Sequence, residues 1–316
     1  MPIGSDAKLK KTEFDDTISV GIDTEYIIRV KDTDPIVDLW SAGGSSISSR
    51  YRWPGKEKTG TMRVPNNFIV ADITENSSPN NCAAFLQPDG RTIIQLQACT
   101  RVEAGAQIVG SKHKSELDIY GDGIQGTHWG SGLSAIGGTI RKGELTSDEP
   151  IRHALKLNVW ANRYLYYDPY GERGWVWPAD RHDSYANGSD ENRRYGGTIK
   201  ELRMGTLLTI PKDVTPESLK LKTQVAIKLF YALQNYGCYI TDDSAWSTYD
   251  WCAEVGVREE VKEKYGVDMK TSTTSNDPYY SDMMKLVSSL YIVTNNKAKS
   301  IGGGGTPCQP LAPDFK

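Results

Sequence analysis

Three of the four histidines, His128, His153 and His182, lie between Asp118 and Asp183, together with Trp129, Trp160, Trp175 and Trp177. Flat aromatic faces stack on sugar rings or bases, and imidazole, guanidinium and carboxylate groups supply directed hydrogen bonds. The run Gly121–Gly138 is too rich in glycine for regular structure and reads as a long loop lying over a binding face. These residue types point to a polar-ligand site. Its candidate substrate-binding residues are His128, Trp129, Arg152, Trp160, Trp177 and His182.

Cleavage of a glycosidic bond needs two carboxyl groups, one protonated and one ionised, facing a groove. Three acids are candidates. Asp72 follows the apolar run Phe68–Ala71, where partial burial would raise its pKa or demand a partner. Asp118 shares a strand face with Glu116 by alternation. Asp242 ends the strand that begins at Cys238, beside Asp243, in a position that also suits a turn former.

Alternation along Ile151–Trp160 puts His153, Leu155, Leu157 and Val159 on one face, and Arg152, Lys156, Asn158 and Trp160 on the other. The second set suits a polar sugar groove, and His153 reads as a hydrogen-bonded core residue. No cofactor is expected. A structural calcium, or a metal held by converging His128, His153 and His182, is the minor option, since the histidine spacings match no ligand motif. Phosphate-cradling and dinucleotide-binding fingerprints are absent.

The elements that must position these groups are mostly strands. The 316 residues are 38% hydrophobic, with 30 glycines, 15 prolines, 17 tyrosines and 5 phenylalanines, a balance that suits a turn-rich β protein. Strand candidates are Ser19–Ile22, Tyr26–Val30, Phe68–Asp72, Ala83–Leu86, Thr92–Gln97, Ser115–Tyr120, Ile151–Trp160, Arg163–Tyr167, Trp175–Trp177 and Met204–Ile210. Helical periodicity takes over at Thr223–Tyr236, closed by Gly237, and returns at Val257–Tyr265, closed by Gly266. A third helix, Pro278–Leu290, starts from an Asp277 cap. The expected fold is mainly β: one β-sandwich or jelly-roll-like domain over 1–316, with helical decorations at about 215–295 and an irregular tail at 300–316.

A net charge of −3 argues against a nucleic-acid footprint, and no run of about 18 apolar residues exists to span a membrane. The N-terminal sequence carries no apolar h-region, so the reading is that a leader has been removed. Of five cysteines, Cys82 and Cys99 bracket a hairpin and are expected to form a disulfide, with Cys238–Cys252 as a second candidate pair.

Several motifs carry a resemblance. Ile151–Leu155, Trp177–Ala179, Met204-Gly205, Leu233–Gly237, Asp242–Trp246 and the tail Gly302–Pro307 with Pro310–Pro313 resemble a family of secreted bacterial proteins common in actinobacteria. The likeness covers roughly residues 65 to 315. It implies export, a β-sandwich-like domain and frequent association with carbohydrate-active genes, and it assigns no catalytic residue. The combined expectation is a secreted glycoside hydrolase acting on a polysaccharide or oligosaccharide. The alternatives are a non-catalytic carbohydrate-binding or cell-surface protein and, second, a polysaccharide lyase with His128 or a tyrosine as base.

Overall fold

The structure is a computed structural model that describes residues 1–15, 17–41, 57–70, 80–171, 173–270, 273 and 276–310, leaving aside the side chains of 111–115. The expected acid Asp72 lies outside the described residues. The chain is mainly β, as its composition predicts, and divides into two compact units. One comprises Met1–Asp23, Trp129–Ser131 and Gly137–Lys316; the other comprises Thr24–His128 and Gly132–Ile136.

The strands are β1 (Leu9–Lys11), β2 (Ser19–Arg29), β3 (Ile36–Ser41), β4 (Glu57–Arg63), β5 (Ala83–Leu86), β6 (Thr92–Thr100), β7 (Ile108–Asp118), β8 (Leu155–Val159), β9 (Leu207–Thr209), β10 (Cys238–Asp243), β11 (Thr248–Glu254) and β12 (Tyr291–Val293). The helices are α1 (Ala161–Tyr164), α2 (Gln224–Asn235), α3 (Val257–Tyr265) and α4 (Pro278–Ser288).

In the first unit the strand order is β1-β12-β9-β10-β8-β11, followed by the start of β2. All the ladders between β1 and β11 are antiparallel except β10–β8, which is parallel. β8 is buried along its whole length, including Lys156 and Asn158. Strands covered on both faces lose the open polar side that simple alternation assumes. The groove expected on Arg152, Lys156, Asn158 and Trp160 is therefore not formed. Asn158 instead donates to Asp23 Oδ2 at 2.8 Å and accepts from Thr241 Oγ1 at 2.8 Å.

The helices follow their local signals. Thr223 caps α2 by accepting from the Ala226 N–H at 3.3 Å. Gly237 closes it at φ +75°, a left-handed conformation in which a Cβ would also meet Leu208 O at 2.4 Å. α3 ends at Gly266, and Asp277 caps α4 by accepting from the Tyr279 N–H at 2.9 Å. Apolar residues of α2 and α4, among them Phe230 and Met283, join Leu155, Leu157 and Trp251 in the main core.

Three strand expectations fail over the described residues, and Phe68–Val70 is the first, carrying no strand. Arg163–Tyr167 is not a strand: the chain turns into α1, whose first N–H, at Ala161, is held by Asp243 Oδ1 at 2.9 Å. Trp175–Trp177 contributes one isolated bridge, Trp175 to Met204.

In the second unit the order is β2-β5-β6-β7-β3-β4, with β2–β5 and β3–β7 parallel and the other ladders antiparallel. The hairpin expected around Gly90 is present as β5 and β6. Its disulfide is not: all five cysteines are free thiols. Cys82 packs with Ala84 and Ile93, whereas Cys99 packs with Phe85 and Leu96 in a different cluster. Side chains that alternate across a pleat point to opposite faces, so closeness in the backbone does not bring the two sulfurs together. Cys238 and Cys252 lie on β10 and β11, with β8 between these strands.

Candidate functional site

β10 and β8 run parallel, and their register shifts between Ile240 and Asp243. The shift lets two consecutive acids, Asp242 and Asp243, gather at the carboxyl end of β10. In open sheets, ligand sites collect at the carboxyl ends of parallel strands. Asp243 is fully engaged there. Its Oδ1 accepts from the Ala161 N–H at 2.9 Å and the Ala245 N–H at 2.8 Å, and its Oδ2 accepts from the Tyr185 hydroxyl at 2.9 Å. Asp242 is buried, and its Oδ1 accepts from the Asp243 N–H at 3.0 Å.

A third acid comes from the loop after Trp177. Asp183 is half-buried, and its Oδ2 accepts from the hydroxyl of Tyr195, a fully buried ring, at 2.8 Å. Its carbonyl oxygen accepts from His182 Nδ1 at 2.8 Å. Gly130 shows how Asp183 and Asp242 converge. A Cβ there would lie 2.5 Å from Asp242 Oδ1 and 3.3 Å from Asp183 Oδ2. Only a residue without a side chain lets the two carboxyl groups flank that position.

Burial, and after it the charge of Asp242, push the Asp183 carboxyl up to about 8. Burial also raises Asp243. Tyr185 and Tyr195 are raised by burial and by Asp183, so both phenols stay protonated and act as donors. Burial and the neighbouring acids thus bias Asp183 toward its protonated form beside a second carboxyl group. That is the pairing general acid–base catalysis requires.

Large apolar rings accompany this group. Trp129, 49% exposed, immediately precedes Gly130, and Trp246, also 49% exposed, follows Asp243 in the next turn. Trp160 is half-buried where β8 passes into α1. In the same unit, Trp175 and Trp177 line a pocket of about 410 Å³ with Arg173, Lys200 and Lys297; its acid, Glu201, is paired with Lys10 at 2.6 Å. The volume suits a small ligand or a short segment of a polymer.

The sequence-derived candidates fall into three groups. Asp242 joins the carboxylate cluster, His182 borders it through Asp183, and Trp129 and Trp160 adjoin it along the chain. Trp177 lines the pocket.

The others are placed differently. Asp118 is exposed at the end of β7, and a hydrogen bond from Arg91 (Nε to Oδ2, 2.9 Å) holds its carboxyl below the usual range, unsuited to a proton donor. His128 is not on a surface over a groove; it is 1% exposed, with Nε2 3.0 Å from Glu25 Oε1. Arg152 is exposed, 3.7 Å from Glu149, and lines a separate pocket of about 220 Å³.

The three histidines with described side chains do not share a site. His153 pairs with Glu144 at 3.0 Å, His182 with the Asp183 carbonyl and His128 with Glu25. Sequence reasoning missed Asp183, Tyr185 and Tyr195. The available signal was the acid-rich segment Asp180–Asp183 directly after the Trp177-Pro178-Ala179 motif. No family model, no curated protein and no solved structure matches the chain.

Proposed function

We propose that the chain is a secreted carbohydrate-active enzyme that hydrolyses glycosidic bonds in a polysaccharide, with Asp183 as the general acid and Asp242 as its carboxylate counterpart. The observation that carries this reading is the raised Asp183 carboxyl facing Asp242 across Gly130. A carboxyl group protonated near neutral pH can donate to a departing glycosidic oxygen, and a neighbouring carboxylate can activate water or attack the sugar carbon.

Tyr195 orients Asp183 by hydrogen bonding, and Asp243 anchors the start of α1 and Tyr185, so these residues position the pair. Trp129 and Trp246 supply exposed ring faces of the kind that stack on sugars. The cations beside Trp175 and Trp177 make uronate-bearing polymers the first substrates to test. Export rests on the resemblance of the motifs between residues 65 and 315. The reading needs only a β frame that presents the carboxyl groups, and does not depend on a sandwich or jelly roll.

The test is product release from neutral and uronate-bearing polysaccharides by wild type, Asp183→Asn and Asp242→Asn. New reducing ends without ultraviolet absorbance, falling at least a hundredfold in either variant, support the proposal. Absorbance of an unsaturated uronate replaces hydrolysis with a lyase reaction. Retention on an insoluble polymer without any cleavage replaces it with binding alone.

A further inference from the structure

Glu25, Cys82 and His128 form a second polar constellation, wholly within the second unit. Their placement follows from the parallel pairing of β2 with β5. Tyr26 is in register with Ala83, so Glu25 and Cys82 stand side by side one position earlier. Ala83 faces one core cluster, and Cys82 faces the other with Ala84. The loop that begins at His128 turns back immediately: the His128 N–H bonds Leu133 O at 3.1 Å, and the Gly132 N–H bonds His128 O at 2.6 Å. The imidazole is thereby held against the sulfur and the carboxylate.

The three side chains are 1%, 2% and 1% exposed for Glu25, Cys82 and His128. Such burial keeps any polymer away from the sulfur, so a nucleophile acting on a large substrate does not fit. A metal ion needs no such access. The donors are one thiol sulfur, one imidazole nitrogen and one carboxylate oxygen, all within 4.8 Å of one another. A tetrahedral zinc ion with bonds of about 2.3 Å to sulfur and about 2.0–2.2 Å to nitrogen and oxygen sets its ligand atoms roughly 3.3–3.6 Å apart. Glu25 Oε1 lies 3.0 Å from His128 Nε2, and Cys82 Sγ lies 3.7 Å from Nε2 and 3.6 Å from Nδ1; the spacings are near those of a zinc site, and the thiol closes one by swinging to the Nε2 side of the ring.

We propose that Glu25, Cys82 and His128 bind a divalent metal ion of zinc type through Oε1, Sγ and Nε2. A mixed sulfur, nitrogen and oxygen set selects zinc over calcium or magnesium, which take oxygen ligands. Three protein ligands leave the fourth tetrahedral position to water. The site is independent of the carboxylate pair proposed for hydrolysis.

The experiment titrates Co²⁺ into the reduced, metal-free full-length chain and follows absorption. A thiolate-to-cobalt charge-transfer band saturating at one ion per chain, and abolished by stoichiometric Zn²⁺ competition, is the expected result. Cys82→Ala should remove the band, and Glu25→Gln, which keeps the thiol, should weaken cobalt binding at least tenfold. A folded wild-type chain that shows no such band overturns the proposal without recourse to any variant. So does a band that survives in Cys82→Ala, since four other thiols are present. Circular dichroism establishes folding of each variant, and if Cys82→Ala does not fold, the wild-type titration and Glu25→Gln decide.

Discussion

Asp183 and Asp242 both crowd Gly130, and a single methyl group at that position would meet both carboxyl groups. The acids lie 59 positions apart in the chain. One arrives on a loop and the other on a sheet strand, and burial, followed by the charge of Asp242, raises the Asp183 carboxyl.

Gly130→Ala separates packing from chemistry. The atoms in the way are mobile side-chain ends, Asp242 Oδ1 at 2.5 Å, Met204 Cε at 3.2 Å and Asp183 Oδ2 at 3.3 Å. They can shift at a cost of roughly 1–3 kcal/mol, the range for modest overpacking. Catalysis, which depends on their separation, should fall at least tenfold. Thermal denaturation and initial rates, measured together, check this, and unchanged rates would remove Gly130 from the site.

The Asp183 carboxyl sets a pH dependence with a definite sign. Its folded pKa, about 8, stands above the unfolded value of about 3.9, so the folded state holds its proton more tightly. The contribution of this one group is complete below about pH 4 and declines as pH rises toward 8, by on the order of a few kcal/mol. Melting curves from pH 4 to 8 should show that decline in wild type and a flatter profile in Asp183→Asn. Hydrolytic rate should fall through an alkaline limb near pH 8.

Asp243→Ala should destabilise the first unit, since it strands the Ala161 and Ala245 N–H groups and the Tyr185 hydroxyl. Loss of such a buried acceptor costs about 1–3 kcal/mol. Urea denaturation measures it. Asp243→Asn retains an acceptor oxygen and should recover part of the loss.

Glu144 carries the opposite pH signature. Burial alone would raise its carboxyl, but the His153 hydrogen bond and the charges of His153 and Arg141 bring it down to about 2. Its stabilisation is present above the unfolded value of about 4.3 and is lost as pH falls toward 2. His153→Ala should therefore reduce stability at pH 6 and weaken the acid dependence between pH 4.5 and 2. Acid titrations of both proteins followed by circular dichroism test it.

The helices of the C-terminal third were legible because their signals are local. A threonine or aspartate cap, a stripe of apolar residues and a closing glycine lie within one short window each, as in α2 with Thr223, Leu229 and Gly237. The β5–β6 hairpin was equally local, with its turn at Gly90. Asp242 was readable as an acid at a strand end. Its partner was not, because nothing in the sequence links Asp183 to Gly130 or to β10.

The sequence by itself determined the mainly β character, the capped helices and a stretch dense in aromatic and polar groups, since these depend on composition and on neighbours a few residues apart. Only the tertiary structure decided which acids meet, that His128 turns inward to Glu25 and Cys82, and that Cys82 and Cys99 point to opposite faces. Each of those outcomes depends on sheet register and on which face a pleat presents. Both are fixed by pairing between distant strands, and a one-residue shift reverses them.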